Sequence, residues 1–523
     1  MIDHWSFTRD GQPWLQHEWL SDVIFQGWAA LFGVNSLVYW KWLVIILIFT
    51  LLFHVVRRVT GDPVSSYASV LLAIAAAAPF LDIRPYLYSS LGYVLLLHLV
   101  LGRAKPPLYL PLIFLVWANV HGGFFFGLMV LFLLFLPLAI YGKPKDRRRV
   151  GLIWVACVLA CLLNPNGIEV FAYPLKYAFD SSSPFKQAID EWSSPLSPGR
   201  TQSPLYFVGV ATFLAATALL LFIPGQRKQR INWSLIALGV LTLAMSLTSR
   251  RFIVLFAIAQ SLVTGRALAV LVAAHMQRIP SLIAPALVLL LGVFWLRPYP
   301  VSAYAFHYLT AEDEFPIETC NFIELNQLSG NVFAYYNWGG YLHLRTNGRM
   351  RVYIDGRADT VYDADTLLKY AHVQGFRPGW EEIIESSGAN YVLWPRNRQG
   401  RPLGQLIASG RWRILFDDFV SVLLVRTQES LGPLKATPDS AYRRLTLGIK
   451  NLEQRHYDLA EKDFRGALDM MPYLRTACYS LAQAQVSQGK MQEAQQSVEE
   501  CQRQFPDRRK ARSINGLVKQ EAP

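Results

Sequence analysis

Ten apolar runs divide the first 296 residues of this chain, at 37–57, 64–81, 86–102, 108–121, 124–141, 150–163, 205–223, 233–248, 252–273 and 281–296. A bilayer holds no water to satisfy backbone N–H and C=O groups, so a run approaching ~20 apolar residues is driven to cross as a helix. The runs at 108–121 and 150–163 are short and call for flanking residues or a tilted, protein-packed position. Basic residues then sort the connecting loops. One alternate set carries Arg57/Arg58, Arg103/Lys105, Lys143/Lys145/Arg147/Arg148/Arg149, Arg227/Lys228/Arg230 and Arg278. The other holds Arg84, Lys176, Lys186, Arg200, Arg250 and Arg251, spread over far more chain. Loops rich in Lys and Arg stay in the cytoplasm. The first set is therefore predicted cytoplasmic, and both chain ends and the less common motifs are predicted outside.

Composition agrees with a large membrane core. Of 523 residues, 53% are apolar and 13% aromatic, which leaves room for one or two soluble domains. The net charge of +13 would point to nucleic acid in a soluble protein. Here much of it sits in short loops, where topology and lipid headgroups account for it, so no nucleic-acid partner is expected. The first residues lack the basic and apolar regions of a cleavable signal peptide.

Past 296 the pattern changes. Residues 1–36 read as an outside loop with an amphipathic helix near 17–33, 37–296 as the transmembrane bundle, 297–430 as an outside α/β domain and 439–515 as a repeat. In the α/β region, β-rich runs at 332–336, 351–354, 391–394, 412–416 and 420–426 alternate with helical segments near 314–328, 363–372 and 380–387. In the tail, Ala460, Phe464, Ala467 and Pro472 recur 34 residues later as Ala494, Val498, Cys501 and Pro506, with Gly448 and Ala482 at the small position of the preceding helix. That period and those small residues resemble two tetratricopeptide (TPR) repeats over about 441–508, a candidate protein-binding module that rests on residues 509–520 or on the adjacent domain. Cys478 and Cys501 fall at repeat positions 4 and 27, which predicts that they are neighbours able to form a disulfide in an oxidising compartment. Cys157 and Cys161 read as helix-contact residues, and the five cysteines give no zinc spacing.

Chemistry-bearing residues gather in the loops predicted outside. The opening string DHWSFTRDGQPWLQHEWL offers Asp3 and Glu18 beside tryptophans, a combination suited to sugars: aromatic faces pack on pyranose C–H surfaces and a carboxylate accepts a hydroxyl proton. An ordinary charged loop explains the same residues. In Trp117-Ala-Asn119-Val-His121-Gly122-Gly123 two glycines allow a sharp bend, leaving Asn119 and His121 at the outer mouth of the bundle, as functional groups or as helix-contact residues. Arg250 and Arg251 break the charge bias of their loop and suit a phosphate, with Arg84 a weaker case and lipid headgroups the alternative. In the α/β region, Asn337 and Trp338 follow one strand, and Asp355, Arg357 and Asp359 follow the next, where sheets of this class commonly hold ligands. Aromatic packing and an Asp–Arg ion pair would equally account for them.

Together these features resemble the GT-C superfamily of membrane glycosyltransferases over about residues 1–426. Tyr336-Asn337-Trp338-Gly339-Gly340-Tyr341 followed by Asp355-Gly356 is similar to the WWDYG region of oligosaccharyltransferase catalytic subunits, with Asn337 where that motif has an acid. HEWL, the Trp117–Gly123 segment and Asn164-Pro-Asn166-Gly resemble bacterial members, some ending in TPR repeats. The resemblance implies a multispanning helical protein of a bacterial inner membrane with an extracytoplasmic α/β domain. It also implies transfer of a sugar from a polyprenyl-phosphate-linked donor to an envelope acceptor. On that reading Asp3, Glu18 and His121 are the catalytic candidates. Arg84, Asn119, Arg250, Arg251, Asn337, Trp338, Asp355, Arg357 and Asp359 are the substrate-binding ones. A divalent cation is compatible with the superfamily, without ligands identified here. GT-C enzymes begin with a span and place an essential acid at the start of the first outside loop, so the equivalent acid is Asp3 or lies upstream of Met1. The competing reading is a non-catalytic membrane scaffold, a truncated or inactive relative that recruits partners through its repeats. No inverted repeat supports a transporter.

Overall fold

The computed structural model describes residues 1–101, 103, 105–179, 183–197, 203–222, 233–275, 311–396, 400–505 and 514. The chain forms two compact units, Gln16–Pro300 and Met1–Leu15 with Val301–Pro523.

The first unit is helical. Its helices are α1 (Trp19–Phe32), α2 (Leu37–Thr60), α3 (Pro63–Ala77), α4 (Tyr86–Val100), α5 (Leu110–Val120), α6 (Phe124–Tyr141), α7 (Pro144–Cys161), α8 (Glu169–Phe179), α9 (Pro184–Ala188), α10 (Pro204–Phe222), α11 (Trp233–Thr248) and α12 (Ile253–His275). Nine of the ten apolar runs are thus helical, and the run at 281–296 and the basic loop at 227–230 lie outside the described residues. Among those described, Val34–Thr60, Pro63–Phe80, Phe124–Tyr141, Pro204–Phe222 and Arg250–Val272 are long and apolar enough to cross a membrane. Tyr86–Val100, Leu110–Val120 and Trp233–Thr248 are shorter apolar helices. This is a multi-pass membrane protein.

Small residues let these helices approach, since lipid tails supply no hydrophobic drive between apolar helices and packing must do so. A Cβ on Gly265 of α12 would sit 2.8 Å from Ser69 Oγ of α3 and 2.9 Å from Val56 of α2. Ser65, Ser66, Ser69 and Ala73 line the buried face of α3, and α12 is the most enclosed of the long apolar helices.

In the second unit, β1 (Gly330–Ala334), β2 (Met350–Val352), β3 (Tyr391–Pro395), β4 (Trp412–Asp417) and β5 (Ser421–Arg426) form one sheet in the order β2-β1-β3-β5-β4. β2, β1 and β3 run parallel, and β5 pairs antiparallel with both β3 and β4. Around it lie α13 (Ile317–Leu325), α14 (Gly339–Thr346), α15 (Ala364–Gln374), α16 (Trp380–Ser386) and α17 (Gly400–Ala408). All five expected strands are present. The glycine pair of the Tyr336–Tyr341 stretch opens α14, and a Cβ on Gly339 would stand 2.5 Å from Asp355 Cβ, so the glycine lets the turn after β2 approach closely.

The opening residues depart from the expected single loop at 1–36. Residues 1–15 belong with the α/β unit, bridging Ser6 to Val352 at the β2 edge, while Gln16 onward belongs to the helical unit. Trp5 and Phe7 exchange backbone hydrogen bonds with Val352, so the segment covers an edge that would otherwise expose unpaired groups.

The tail forms two helical hairpins, α18 (Ala441–Glu453) with α19 (Tyr457–Met470) and α20 (Arg475–Ser487) with α21 (Met491–Gln504). The second repeats the first at a shift of 34 residues. Gly448 admits the Phe464 ring, and Ala482 is fully buried. Cys478 and Cys501 form a disulfide with Cα atoms 5.8 Å apart, as the repeat positions predicted. Residues 509–513 and 515–520, the expected support, lie outside the described residues.

Candidate functional site

In the helical unit, a polar chain runs from the core of the bundle to Glu18. Trp117 fixes its inner end. The indole lies in a slot made by two glycines: a Cβ on Gly92 of α4 would stand 2.8 Å from the ring and one on Gly127 of α6 only 2.6 Å. So held, Trp117 Nε1–H donates to Ser89 Oγ at 2.8 Å. Ser89 Oγ in turn lies 2.6 Å from His121 Nδ1, which also receives the Gly123 N–H at 2.9 Å. A nitrogen that accepts a backbone N–H carries no proton, so His121 is the Nε2–H tautomer. Ser89 donates to Nδ1, and Nε2–H faces Glu18 Oε1 at 3.3 Å.

Glu18 precedes the first residue of α1, and three contacts fasten that helix to the α5–α6 turn. Trp19 Nε1–H donates to Asn119 Oδ1 at 2.8 Å, Ser21 Oγ–H donates to Val120 O at 2.5 Å, and Glu18 meets His121. Asn119 also donates to Leu115 O and Leu163 O and accepts from Asn164 Nδ2. Asn164 braces Asn166, which donates to Gln16 O at 3.0 Å. Asn119 and the Asn164-Pro-Asn166 turn are thereby fully engaged in holding the strand of chain before α1.

The electrostatics favour an ionised Glu18 beside a neutral imidazole. Burial would raise the Glu18 carboxyl, but His17, 3.5 Å away, and the charge of Arg251 outweigh it and hold the group below the usual carboxylate range. The Gly123 N–H donated to Nδ1 keeps the His121 imidazole neutral. The helix dipole of α1 acts on Glu18 in the same sense as the cations.

The arginines expected to bind phosphate separate into three situations. Arg84 is ion-paired with Glu191. Arg250 is buried and donates from Nη2 to Ser197 O at 2.9 Å and from its backbone N to Ser193 O, an arrangement that secures the 193–197 segment. Arg251 lies over the Trp192 ring at 5.0 Å and acts on Glu18 and His121 through space.

The remaining candidates belong to the other unit, where Asp3, Asp355 and Arg357 form one buried cluster. Arg357 donates from Nη1 to Asp3 Oδ1 at 2.5 Å and from Nε and Nη2 to Asp355, and its guanidinium lies 4.8 and 4.9 Å from the rings of Trp5 and Trp14, which pack edge to face on one another. Burial would raise the Asp3 carboxyl, but hydrogen bonds from Ser6, Arg357 and the Trp5 N–H lower it below the usual range. Its oxygens are committed to those donors, and the cluster pins the opening segment to the turn after β2. Trp338 is buried and donates to Glu314 O, Asn337 beside it is exposed, and Asp359 is half-buried in the turn that follows Arg357. Among the described residues no group of three or more His, Cys, Asp or Glu side chains is arranged to hold a metal ion. The divalent cation compatible with the superfamily therefore finds no ligand set among them.

Ser89 was absent from the candidates read in the sequence. The available signal was a Ser-Ser pair inside an otherwise apolar run, with no loop to explain it.

No family model and no curated protein matches the sequence. Among solved structures, the chain is similar to the archaeal oligosaccharyltransferase AglB from Archaeoglobus fulgidus, in complex with an inhibitory peptide and a dolichol-phosphate. The TM-score is 0.52 at 12% identity, over 75% of this chain and 63% of that one. The apo form of the Archaeoglobus fulgidus oligosaccharyltransferase matches with a TM-score of 0.46 at 11% identity, over 76% of this chain and 64% of that one. The chain therefore spans 63% of the length of AglB and shares its fold.

Proposed function

We propose that this protein is a GT-C-type glycosyltransferase that moves a sugar from a polyprenyl-phosphate-linked donor to an acceptor hydroxyl on the extracytoplasmic side of a bacterial inner membrane. AglB, which shares the fold, was solved with a dolichol-phosphate, and a polyprenyl phosphate is the corresponding lipid. The observation that carries the reading is the Glu18 carboxyl 3.3 Å from Nε2 of a tautomer-fixed His121, with Arg251 among the charges that hold it below the usual carboxylate range. In the transfer the acceptor oxygen bonds to the sugar C1 as the C1–O bond to phosphate breaks, and the acceptor proton passes to Glu18. A carboxylate this acidic suffices because the hydroxyl becomes strongly acidic only once its oxygen engages the oxocarbenium-like centre. His121 positions the carboxylate, and Arg251 neutralises the departing phosphate.

Asn119, Arg84 and Arg250 then act as supports of the site. Asp3, Asp355 and Arg357 are assigned to holding that unit's opening segment. The 34-residue hairpins are read as TPR repeats that recruit an envelope partner. The deciding experiment is transfer from a panel of radiolabelled polyprenyl-phosphate sugars by the protein in proteoliposomes. Glu18→Gln should lower transfer by about 10²–10⁴-fold with donor binding retained, and Arg251→Gln should weaken donor binding by roughly 1.5–3 kcal/mol. Full activity of Glu18→Gln would refute its role, and no binding of any donor would leave the scaffold reading in its place.

A further inference from the structure

α5 joins two different polar environments. His121 follows its C-terminal end. About 16 Å away along its eleven residues, its first turn borders a crevice of about 390 Å³ against the start of α7. Lys145, Arg148 and Arg149 line the polar part of this crevice, and Leu108, Leu152 and Ala156 line the apolar part. Ile153, which also lines it, is core at 4% exposure, but Leu108 is 68% exposed and Leu152 60%. They face outward from a helix bundle that lies in lipid.

Two of the three cations have no ion-pair partner among the described residues, and the third is only partly engaged. Arg147, in the same turn, donates to Ile140 O and Gly142 O and so closes the α6–α7 connection. Lys145 and Arg148, by contrast, have no ion-pair partner among the described residues. Arg149 donates from Nη2 to Pro106 O at 3.0 Å, but its Nε–H is buried with no hydrogen-bond partner among the described residues. A buried charged donor left unmatched is costly, and a crevice with three cations at one end and hydrocarbon at the other fits a ligand with an anionic head and an apolar tail. The N-terminus of α7 adds its partial positive charge.

We propose that this crevice is a binding site for an anionic phospholipid, whose phosphate is held by Lys145, Arg148 and Arg149 while one acyl chain lies along Leu108, Leu152 and Ala156. It is separate from the proposed donor site, at the opposite end of α5, and would serve to seat the α5–α7 pair. Positive charge near the ends of spans also sets topology. That alternative requires neither a crevice nor a buried unmatched Nε–H.

Native mass spectrometry of the full chain, released from mild detergent with equimolar phosphatidylglycerol and phosphatidylcholine, tests the site. One phosphatidylglycerol should be retained preferentially. Lys145→Gln/Arg148→Gln/Arg149→Gln should reduce its retention on the order of a hundredfold, at about fivefold per cation. Ala156→Trp keeps every charge but fills the apolar part, and it should also release the lipid, so the outcome does not rest on a variant with altered insertion. Equal retention of the two lipids, or undiminished retention by Ala156→Trp, would overturn the proposal. So would displacement of the lipid by millimolar inorganic phosphate, which would assign the cations to a free anion.

Discussion

Replacing Ser89 by Ala isolates the link on which the geometry of His121 depends. Ser89 Oγ is acceptor to Trp117 Nε1–H at 2.8 Å and lies 2.6 Å from His121 Nδ1. Both neighbours are buried, and the glycine slot around Trp117 leaves the indole no room to turn toward another acceptor. The variant thus strands a buried N–H, which costs about 1–3 kcal/mol. Hydrogen bonds between membrane helices average only about 0.6 kcal/mol, because the unfolded state in lipid also finds partners. The excess over that figure measures how tightly the slot confines the ring. A double-mutant cycle with Trp117→Phe separates the two: Phe has no N–H to strand, so Ser89→Ala in that background should cost less than about 1 kcal/mol. Reversible unfolding of the protein in mixed micelles gives the four stabilities. Proposed transfer should fall by no more than about tenfold in Ser89→Ala, since the Gly123 N–H still fixes the His121 tautomer and only one neutral hydrogen bond is lost. Additivity of the two substitutions within about 0.5 kcal/mol would refute the coupled chain.

The apolar helices, the five strands and the 34-residue tail were legible because each rests on a local period: apolar length, alternation, or recurrence of small residues. Glu18 and His121 were legible as residue types, since acids and imidazoles are scarce beside apolar runs. Their meeting was not. It depends on Ser21 reaching Val120 O and Trp19 reaching Asn119, contacts spanning 99 and 100 residues that leave no mark on either segment alone. Gly92 and Gly127 were unreadable for a related reason. In an apolar helix a glycine is unremarkable until the ring that fills its missing Cβ is known. Asp3 illustrates the reverse difficulty. As the first acid of an outside segment it looked catalytic, but both its oxygens are taken by Ser6, the Trp5 N–H and Arg357, and no sequence spacing could reveal a partner 354 residues away.

Acid should destabilise the helical unit. Glu18, held below the usual carboxylate range in the folded state, is still ionised where its unfolded counterpart takes up a proton, so stability should fall as pH drops below about 4.5. An unchanged acid-unfolding slope in Glu18→Gln would reject the assignment. Arg357→Met should cost about 3–5 kcal/mol by leaving Asp3 and Asp355 buried without their cation. Limited proteolysis should then cut within residues 1–15 faster than in the parent protein, and an unchanged rate would count against the cluster. Reporters fused after Arg149 and after Arg426 should report opposite compartments, and the same compartment for both would sink the predicted topology. Finally, reducing the Cys478–Cys501 bond should loosen the last hairpin. The bond closes a 23-residue separation, worth about 3 kcal/mol in chain-entropy terms. Cys501 is fully buried beside Val498 and Ala482, so Cys478→Ser/Cys501→Ser would keep a packed hairpin with weaker protection rather than an unfolded one. Amide exchange should accelerate in 475–504 and remain unchanged in 441–470. Equal acceleration in both hairpins would mean that they unfold as one unit and that the bond staples the whole tail.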